Sequence, residues 1–230
     1  MTYSNTTVII PTFNEADNIR QLLKILLKEY KGIKVIVADD GSNDGTQEQV
    51  KAIRSKDVIL LDRSVASVKG LTAAVVDAVP QVKTKFIVVM DADLQHPPSK
   101  VKDIVEELSK DSDVVVSYRE KILIDWALWR RITSRGANLL GRLVLFLKGI
   151  ECKDVLSGFF GAKTDVFKHA VIYNKRRFVG KGYKVCFDLL KQLPHGSKIG
   201  HIYYSFGARG RGHSKLGLKH YLYYLQSLVS

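Results

Sequence analysis

Cysteine is nearly missing from this chain. Cys152 and Cys186 are the two among 230 residues, too few for a disulfide framework and without the spacing of a zinc site, which suits a reducing compartment. No stretch approaches the roughly 18 uninterrupted apolar residues of a membrane span. The opening Met1-Thr2-Tyr3-Ser4-Asn5 lacks a basic segment followed by an apolar one, so no signal peptide is expected. Internal repeats and low-complexity segments are missing too, and the length with 46% hydrophobic residues suffices for one compact unit. Acids are the scarcer charge: Asp+Glu 23 against Lys+Arg 36 leaves +13. That balance favours anionic partners, whether nucleic acid, anionic lipid or phosphorylated substrates.

The stretch that organises the chain is Phe86-Ile87-Val88-Val89-Met90-Asp91-Ala92-Asp93-Leu94-Gln95-His96-Pro97-Pro98. Five apolar residues bounded by turn formers read as a buried strand, with two carboxylates where it must end. If the extended conformation persists one step further, Asp91 and Asp93 point the same way and Gln95 continues the register. Two carboxylates and an amide oxygen suit a hard divalent cation such as Mg²⁺, with room left for a diphosphate. The competing reading is an ordinary strand-to-helix turn with solvated acids. Ser99 is expected to cap a following helix on the apolar period Val101, Ile104, Val105 and Leu108.

Upstream, Thr7-Val8-Ile9-Ile10 reads as a strand stopped by Pro11, and Asn14 with Asp17 as the start of a helix carrying Ile19, Leu22, Leu23, Leu26 and Leu27 on one face. A second strand, Lys34 to Ala38, runs into Asp39-Asp40-Gly41-Ser42-Asn43-Asp44-Gly45-Thr46, where Thr46 and Gln49 suggest a capping box. Val58 to Leu61 is a third strand, Leu71 to Val79 a helix, and Asp113 to Ser117 a fifth strand ending in Tyr118-Arg119. Strands alternating with helices predict an α/β fold with a mostly parallel sheet covered by helices. The polar clusters after the first, second and fourth strands then share the carboxyl edge, where open α/β sheets bind ligands.

Beyond residue 121 the character changes. Ile122 to Lys148 carries Trp126, Trp129 and many leucines, punctuated by Arg130, Arg131, Arg135 and Arg142. Such a basic amphipathic helix or helix pair serves equally as core packing or as an element lying in an anionic membrane interface. Gly207 to Lys215 alternates glycine with Arg209, Arg211 and Lys215, the composition of a loop able to close on phosphates or of a solvated linker. His220 to Ser230 reads as an uncapped helix, with a cut there before a membrane segment as the expectation and a natural end as the alternative.

Three motifs, Pro11-Thr12-Phe13-Asn14-Glu15, Val37 to Thr46 and Asp91 to Pro98, resemble the successive signatures of the family 2 inverting glycosyltransferases. With Trp129-Arg130-Arg131, Ser134-Arg135-Gly136-Ala137, Asp154, Ser157 to Phe160 and Arg209 through Lys215, the string is similar to that of the dolichol (polyprenol) phosphate mannose synthases. The resemblance implies the nucleotide-sugar-binding glycosyltransferase A-type (Rossmann-like) fold. It implies a catalytic domain over 1–215, divided into a nucleotide-binding half to about 118 and an acceptor half from about 119, before a helix over 216–230. Pro11, Phe13, Glu15, Val37, Asp40, Lys69, Asp91, Ala92, Asp93, Gln95 and Lys215 would meet the nucleotide sugar, with Asp40 on the base. Asp91, Asp93 and Gln95 would hold Mg²⁺ or Mn²⁺. Arg119, Arg130, Ser134 and Arg209 would join Asp93 as the catalytic set, meeting the acceptor phosphate. Two departures stand out: Glu120 to Ile124 lacks the glycine pair common after Arg119, and Thr72 replaces a usual glycine.

What this implies is mannose transfer from GDP-mannose to dolichyl or polyprenyl phosphate, at an anionic membrane with the active site facing the cytoplasm. A polyprenyl-phosphate glucosyltransferase using UDP-glucose is the alternative enzyme. A non-catalytic basic domain binding membranes or nucleic acid is the alternative class, but acids gathered in one crevice repel a polyanion unless a metal bridges them. The strands are also aliphatic where an RNA reader shows aromatics, so no nucleic-acid partner is expected.

Overall fold

The computed structural model describes residues 2–122, 128–207 and 218–229. Seven strands form one sheet: β1 (Thr6–Thr12), β2 (Lys34–Asp39), β3 (Val58–Asp62), β4 (Phe86–Val89), β5 (Val114–Ile122), β6 (Phe160–Lys163) and β7 (Ile199–Phe206), in the order β3-β2-β1-β4-β6-β5-β7. β1 through β4 pair in parallel, as do β5 and β7, while β6 runs antiparallel to both β4 and β5. The sheet is thus mostly parallel, as expected, and its antiparallel insert β6 is an addition to the sequence reading. The eight α-helices described are α1 (Ala16–Glu29), α2 (Thr46–Lys51), α3 (Leu71–Ala78), α4 (Val101–Ser109), α5 (Leu128–Phe146), α6 (Thr164–Asn174), α7 (Val185–Lys191) and α8 (Leu218–Val229).

Side chains alternate across the sheet as the pleat demands. Val8 and Ile10 of β1 join the layer of Ile19, Leu22, Leu23 and Leu26 from α1 and Val101, Ile104 and Leu108 from α4. Ile9 faces the opposite layer, with α3, α6 and α7. Each such fully buried aliphatic contributes about 1.5–3 kcal/mol, so the helical period read from α1 and α4 is what fastens them to the sheet.

Pro11 does not stop β1. The strand continues to Thr12, paired with Asp39 of β2. The Thr12 carbonyl accepts from Asp40 on the β2 side, whereas the Ile9 carbonyl accepts from Met90 on the β4 side. Residue 11 therefore faces the β4 side, where β4 has already left the sheet, and the N–H that proline lacks has no ladder partner to lose. This early departure of β4 opens a crevice at the carboxyl edge. β5 also runs further than the sequence suggested, carrying Arg119 opposite Tyr204 before a bulge at Glu120, so Ile122 belongs to a strand and not to the basic helix. α8 crosses α5 at Gly141, where a Cβ would come within 2.5 Å of the Tyr224 hydroxyl. That hydroxyl donates to the Ala137 carbonyl at 2.6 Å.

Candidate active site

The loops after β1 and β2 are stitched into one floor. The Asn14, Glu15 and Ala16 amides donate to Ser42 Oγ (2.8 Å), Thr46 Oγ1 (2.8 Å) and Asp44 Oδ2 (3.0 Å), and the Asn43 amide donates back to Asn14 Oδ1 (3.0 Å). Two local expectations give way to this stitching. Asn14 serves the neighbouring loop instead of capping α1, and Thr46 opens α2 behind Gly45 with its hydroxyl on Asp44 (2.6 Å) instead of forming a capping box. The acid pair divides its labour. Asp39, fully buried, accepts from Thr12 Oγ1, the Gly41 and Ser42 amides and Gln47 Nε2, a structural hub. Asp40 accepts from Arg63 Nη1 and from the Gly70 amide (2.6 Å). Lys69 is exposed nearby, its Nζ 3.1 Å from where a Cβ on Gly41 would lie.

Of the remaining floor residues expected at the nucleotide, Phe13 is 47% exposed. Glu15 accepts from Asn18 Nδ2 at 3.0 Å, and Pro11 lies at the mouth of the gap beside β4. Val37 and Ala92 are buried in the core layer beneath, so the fold does not bring their side chains to the crevice surface.

The extended conformation expected to carry Asp91, Asp93 and Gln95 in register does not persist. β4 ends at Val89, the chain turns, and Leu94 takes the left-handed conformation at φ 64°. A hydrogen bond ties the turn instead: the Gln95 backbone N–H donates to Asp93 Oδ1 at 3.1 Å. Asp93 is buried and Asp91 half-buried, with its Oδ2 3.4 Å from where a Cβ on Gly158 would stand. Gln95 Nε2 donates to the Gly207 carbonyl at 3.1 Å, which assigns the nitrogen to the chain and leaves the amide oxygen able to accept or ligate. Ser99 does not cap α4, which is entered through a 3₁₀ turn over Pro98–Lys100.

Among the described residues no three His, Cys, Asp or Glu side chains gather around a metal. Two carboxylates and one amide oxygen are nonetheless the hard donor set that Mg²⁺ or Mn²⁺ takes when phosphate oxygens and water complete its shell. An orphaned group supports the fit. Among the described residues Tyr204, 2% exposed, has no hydrogen-bond partner for its hydroxyl, which lies within electrostatic reach of Arg119, Asp154, Asp91 and Asp93.

His96 locks this loop from behind. Its Nδ1 accepts from the Asp91 amide at 3.1 Å, and its ring stacks on Phe159 with centroids 5.1 Å apart. Burial pushes its pKa down to about 4. An unfolded histidine takes its proton near pH 6.5, so between the two values the unfolded chain holds more protons and stability falls as pH falls. In metal-free protein, on the order of 3 kcal/mol is expected to be lost between pH 6.5 and 4. Denaturant midpoints of wild type and His96→Gln across that range check it, and parallel curves for the two would refute it.

On the far wall, Arg119 forms a two-pronged pair with Asp154, Nε to Oδ2 at 2.8 Å and Nη2 to Oδ1 at 2.9 Å. Lys184 Nζ donates to the Leu156 carbonyl at 2.6 Å; burial, with Arg119 nearby, lowers its pKa to about 7. Ser134 is half-exposed on α5, one turn beyond Arg130, whose side chain lies outside the described residues, as do Trp126, Arg209, Arg211 and Lys215. Sequence reasoning missed Lys184, His96 and Arg63 as site residues; what sets them apart is contact with Leu156, Phe159 and Asp40, each more than 20 residues away.

A family model described as glycosyl transferase family 2 matches residues 7–170. The dolichol-phosphate mannosyltransferase of Mycosarcoma maydis is 34% identical over 238 residues, covering 97% of this chain and 77% of that protein. Its namesake from Pyrococcus furiosus is 33% identical, covering 96% of this chain and 62% of that protein, and the one from Saccharomyces cerevisiae 32%, covering 96% and 85%. Among solved structures, glucosyl-3-phosphoglycerate synthase from Mycobacterium tuberculosis, in complex with Mn²⁺, UDP-glucose and phosphoglyceric acid, superposes with a TM-score of 0.66 at 20% identity, covering 98% of this chain and 79% of that one.

Proposed function

The chain belongs to glycosyl transferase family 2, and from that premise we propose that it transfers mannose from GDP-mannose to dolichyl or polyprenyl phosphate, inverting the anomeric centre. The observation that carries the reading is the meeting of Asp91 and Asp93 with the Arg119–Asp154 pair around Tyr204 in one crevice, with Lys184 in electrostatic reach of Arg119, Asp154 and Asp91. Asp40 meets the base and Lys69 flanks the diphosphate, while Phe13 and Glu15 line the donor's path. Asp91, Asp93 and Gln95 would hold a divalent cation, Mg²⁺ or Mn²⁺, which would supply charge neutralisation for the nucleoside diphosphate leaving group.

A phosphate monoester is already an anionic oxygen nucleophile near neutral pH, so the site needs no general base. It needs cations that bring two anions together. Arg119 offers a guanidinium held in plane by Asp154, and Ser134, Arg130 and Arg209 complete the acceptor cradle. Together they aim the phosphate oxygen at the anomeric carbon from the face opposite the diphosphate, and alignment of this kind is worth up to about 7–11 kcal/mol in well-oriented reactions. Lys215 joins the donor phosphates.

The acceptor's chain stays in a bilayer, and the protein supplies a face for it. No described helix is long and apolar enough to cross a membrane. On α5 and just beyond it Leu139, Leu143, Phe146 and Leu147 are exposed alongside Arg135, Arg142 and Lys148, and on α8 Leu222, Leu225 and Val229 are exposed. We assign this face to an anionic membrane surface, cytoplasmic leaflet included, where each Lys or Arg adds about 1 kcal/mol. One experiment tests donor and surface together. Labelled GDP-mannose and UDP-glucose are each offered, with Mg²⁺ or Mn²⁺, to polyprenyl phosphate in anionic vesicles and to a short-chain soluble analogue. Transfer from GDP-mannose is expected to prevail, and to fall with salt for vesicles far more than for the soluble acceptor. Glucose transfer would favour the UDP-glucose reading, and equal salt responses would remove the membrane role of α5 and α8.

A further inference from the structure

Arg63 is 4% exposed, too deep to touch a ligand, yet its guanidinium is held from three directions. Nη1 donates to Asp40 Oδ1; Nε and Nη2 donate to Asp77 Oδ2 on α3 at 3.2 and 2.9 Å; and Nη2 also donates to the Val68 carbonyl at 2.8 Å. Its backbone amide is tied to the Asp39 carbonyl at 2.8 Å. Asp77 is braced in turn by Lys175 at 3.1 Å. A guanidinium fixed in this way holds its Nη1 N–H in one direction, so Asp40 Oδ1 is met from a set angle and a second contact on the other oxygen suffices to fix the carboxylate plane. The other oxygen of Asp40 is set by the Gly70 amide at 2.6 Å. Gly70 sits at φ 141°, and a Cβ there would come within 2.7 Å of the Gly180 carbonyl, so the whole 63–70 segment wraps Asp40 without slack.

We propose that Arg63 is a positioning residue that sets the carboxylate plane of Asp40 and thereby the donor's selectivity for its base. The inference rests on the reading of Asp40 as the group that meets the base. Each carboxylate oxygen holds two lone pairs, so after accepting from Arg63 and Gly70 the group keeps one acceptor direction on each oxygen. Two parallel acceptors match a base that presents adjacent N–H donors, as guanine does with its ring N1–H and exocyclic 2-amino group. Both bonds form only while the plane is held. A carboxylate gripped at one point can swing to keep the ring N–H and lose the amino group.

Inosine diphosphate, which lacks the 2-amino group, makes this measurable against guanosine diphosphate by calorimetry under identical metal conditions. Wild type is expected to prefer GDP by at least about tenfold, the scale of one hydrogen bond to a charged group. Arg63→Lys keeps the charge and loses the fork, and is expected to bring that ratio below about threefold. The donor KM rises while kcat at saturating donor stays close to wild type. A role confined to stapling the fold would lower the melting temperature and leave the GDP:IDP ratio intact, and that result overturns the proposal. Asp40→Asn separates the two failures. If it abolishes the preference and Arg63→Lys does not, Arg63 alone is misassigned; if it leaves the preference unchanged, the reading of Asp40 falls and this inference with it. Should Arg63→Lys not fold, Asp77→Asn removes the brace from an accessible face of α3 and is expected to lower the ratio at least about twofold; no change there also overturns the proposal.

Discussion

Replacing Asp93 with alanine is expected to cut transfer by at least about a thousandfold, on the order of 4 kcal/mol at the transition state, with the fold retained. The size of the effect follows from where the side chain sits. Asp93 is the buried member of the pair and organises the loop by accepting from the Gln95 amide. On the proposed assignment its loss would take a ligand from the cation and loosen the loop that presents the Gln95 amide oxygen. The departing diphosphate would then leave with its charge less compensated. Asp91 is the more exposed of the two, so water replaces it more readily and Asp91→Ala is expected to cost less. Asp93→Asn separates chemistry from architecture, because an amide oxygen still accepts from Gln95 while giving the cation a weaker ligand. The checks are kcat with a metal titration for each variant, circular dichroism for the fold, and full chelation of wild type. Turnover that survives excess EDTA, or an Asp93→Asn protein as active as wild type, would remove the metal role from this loop.

Much of the fold was legible because the relevant forces are local. The apolar runs of β1, β2 and β4 and the helical period of α1 and α4 each declare a buried face, and the order of strands and helices then implies a parallel sheet whose acid-bearing loops share an edge. Pro11 was misread because a strand's tolerance of proline depends on whether a neighbour is still present at that height, and that is a property of the sheet. The acids of Asp39-Asp40 are chemically identical in sequence. Only the positions of Thr12, Gln47 and Arg63 make one a hub of the loop and the other an anchored carboxylate facing the 63–70 segment. β6 escaped notice because four residues that include a glycine carry no period of their own, and their pairing with β4 and β5 arises across long separations. His96 and Lys184 were hidden for a related reason. What makes them unusual is burial, and burial belongs to the assembled crevice.

Asp188→Ala is expected to destabilise the protein by about 3–5 kcal/mol, the largest loss of stability anticipated for a single side chain outside the crevice. Asp188 on α7 accepts from the Val179 amide at 3.0 Å and from the Ser227 hydroxyl of α8, and lies 3.3 Å from Lys191. Lys191 in turn donates to the Ser227 carbonyl. Both charged side chains are 1% exposed. Burial raises the pKa of Asp188 and lowers that of Lys191, each toward its neutral form, so desolvation outweighs what the pair recovers from its partners. A pair in that condition adds little net stability, yet removing one member strands the other with its charge unmatched. Its contribution is specificity: three elements meet at one polar point, and α8 has a single way to seat on α7. The cost of the single substitution and the near-neutrality of the pair are therefore separable. Asp188→Leu with Lys191→Met, which removes both charges at similar volume, is expected to recover at least half of the loss. Urea midpoints of the single and double variants measure this. A double variant that stays as unstable as Asp188→Ala would show that the pair stabilises α8 outright.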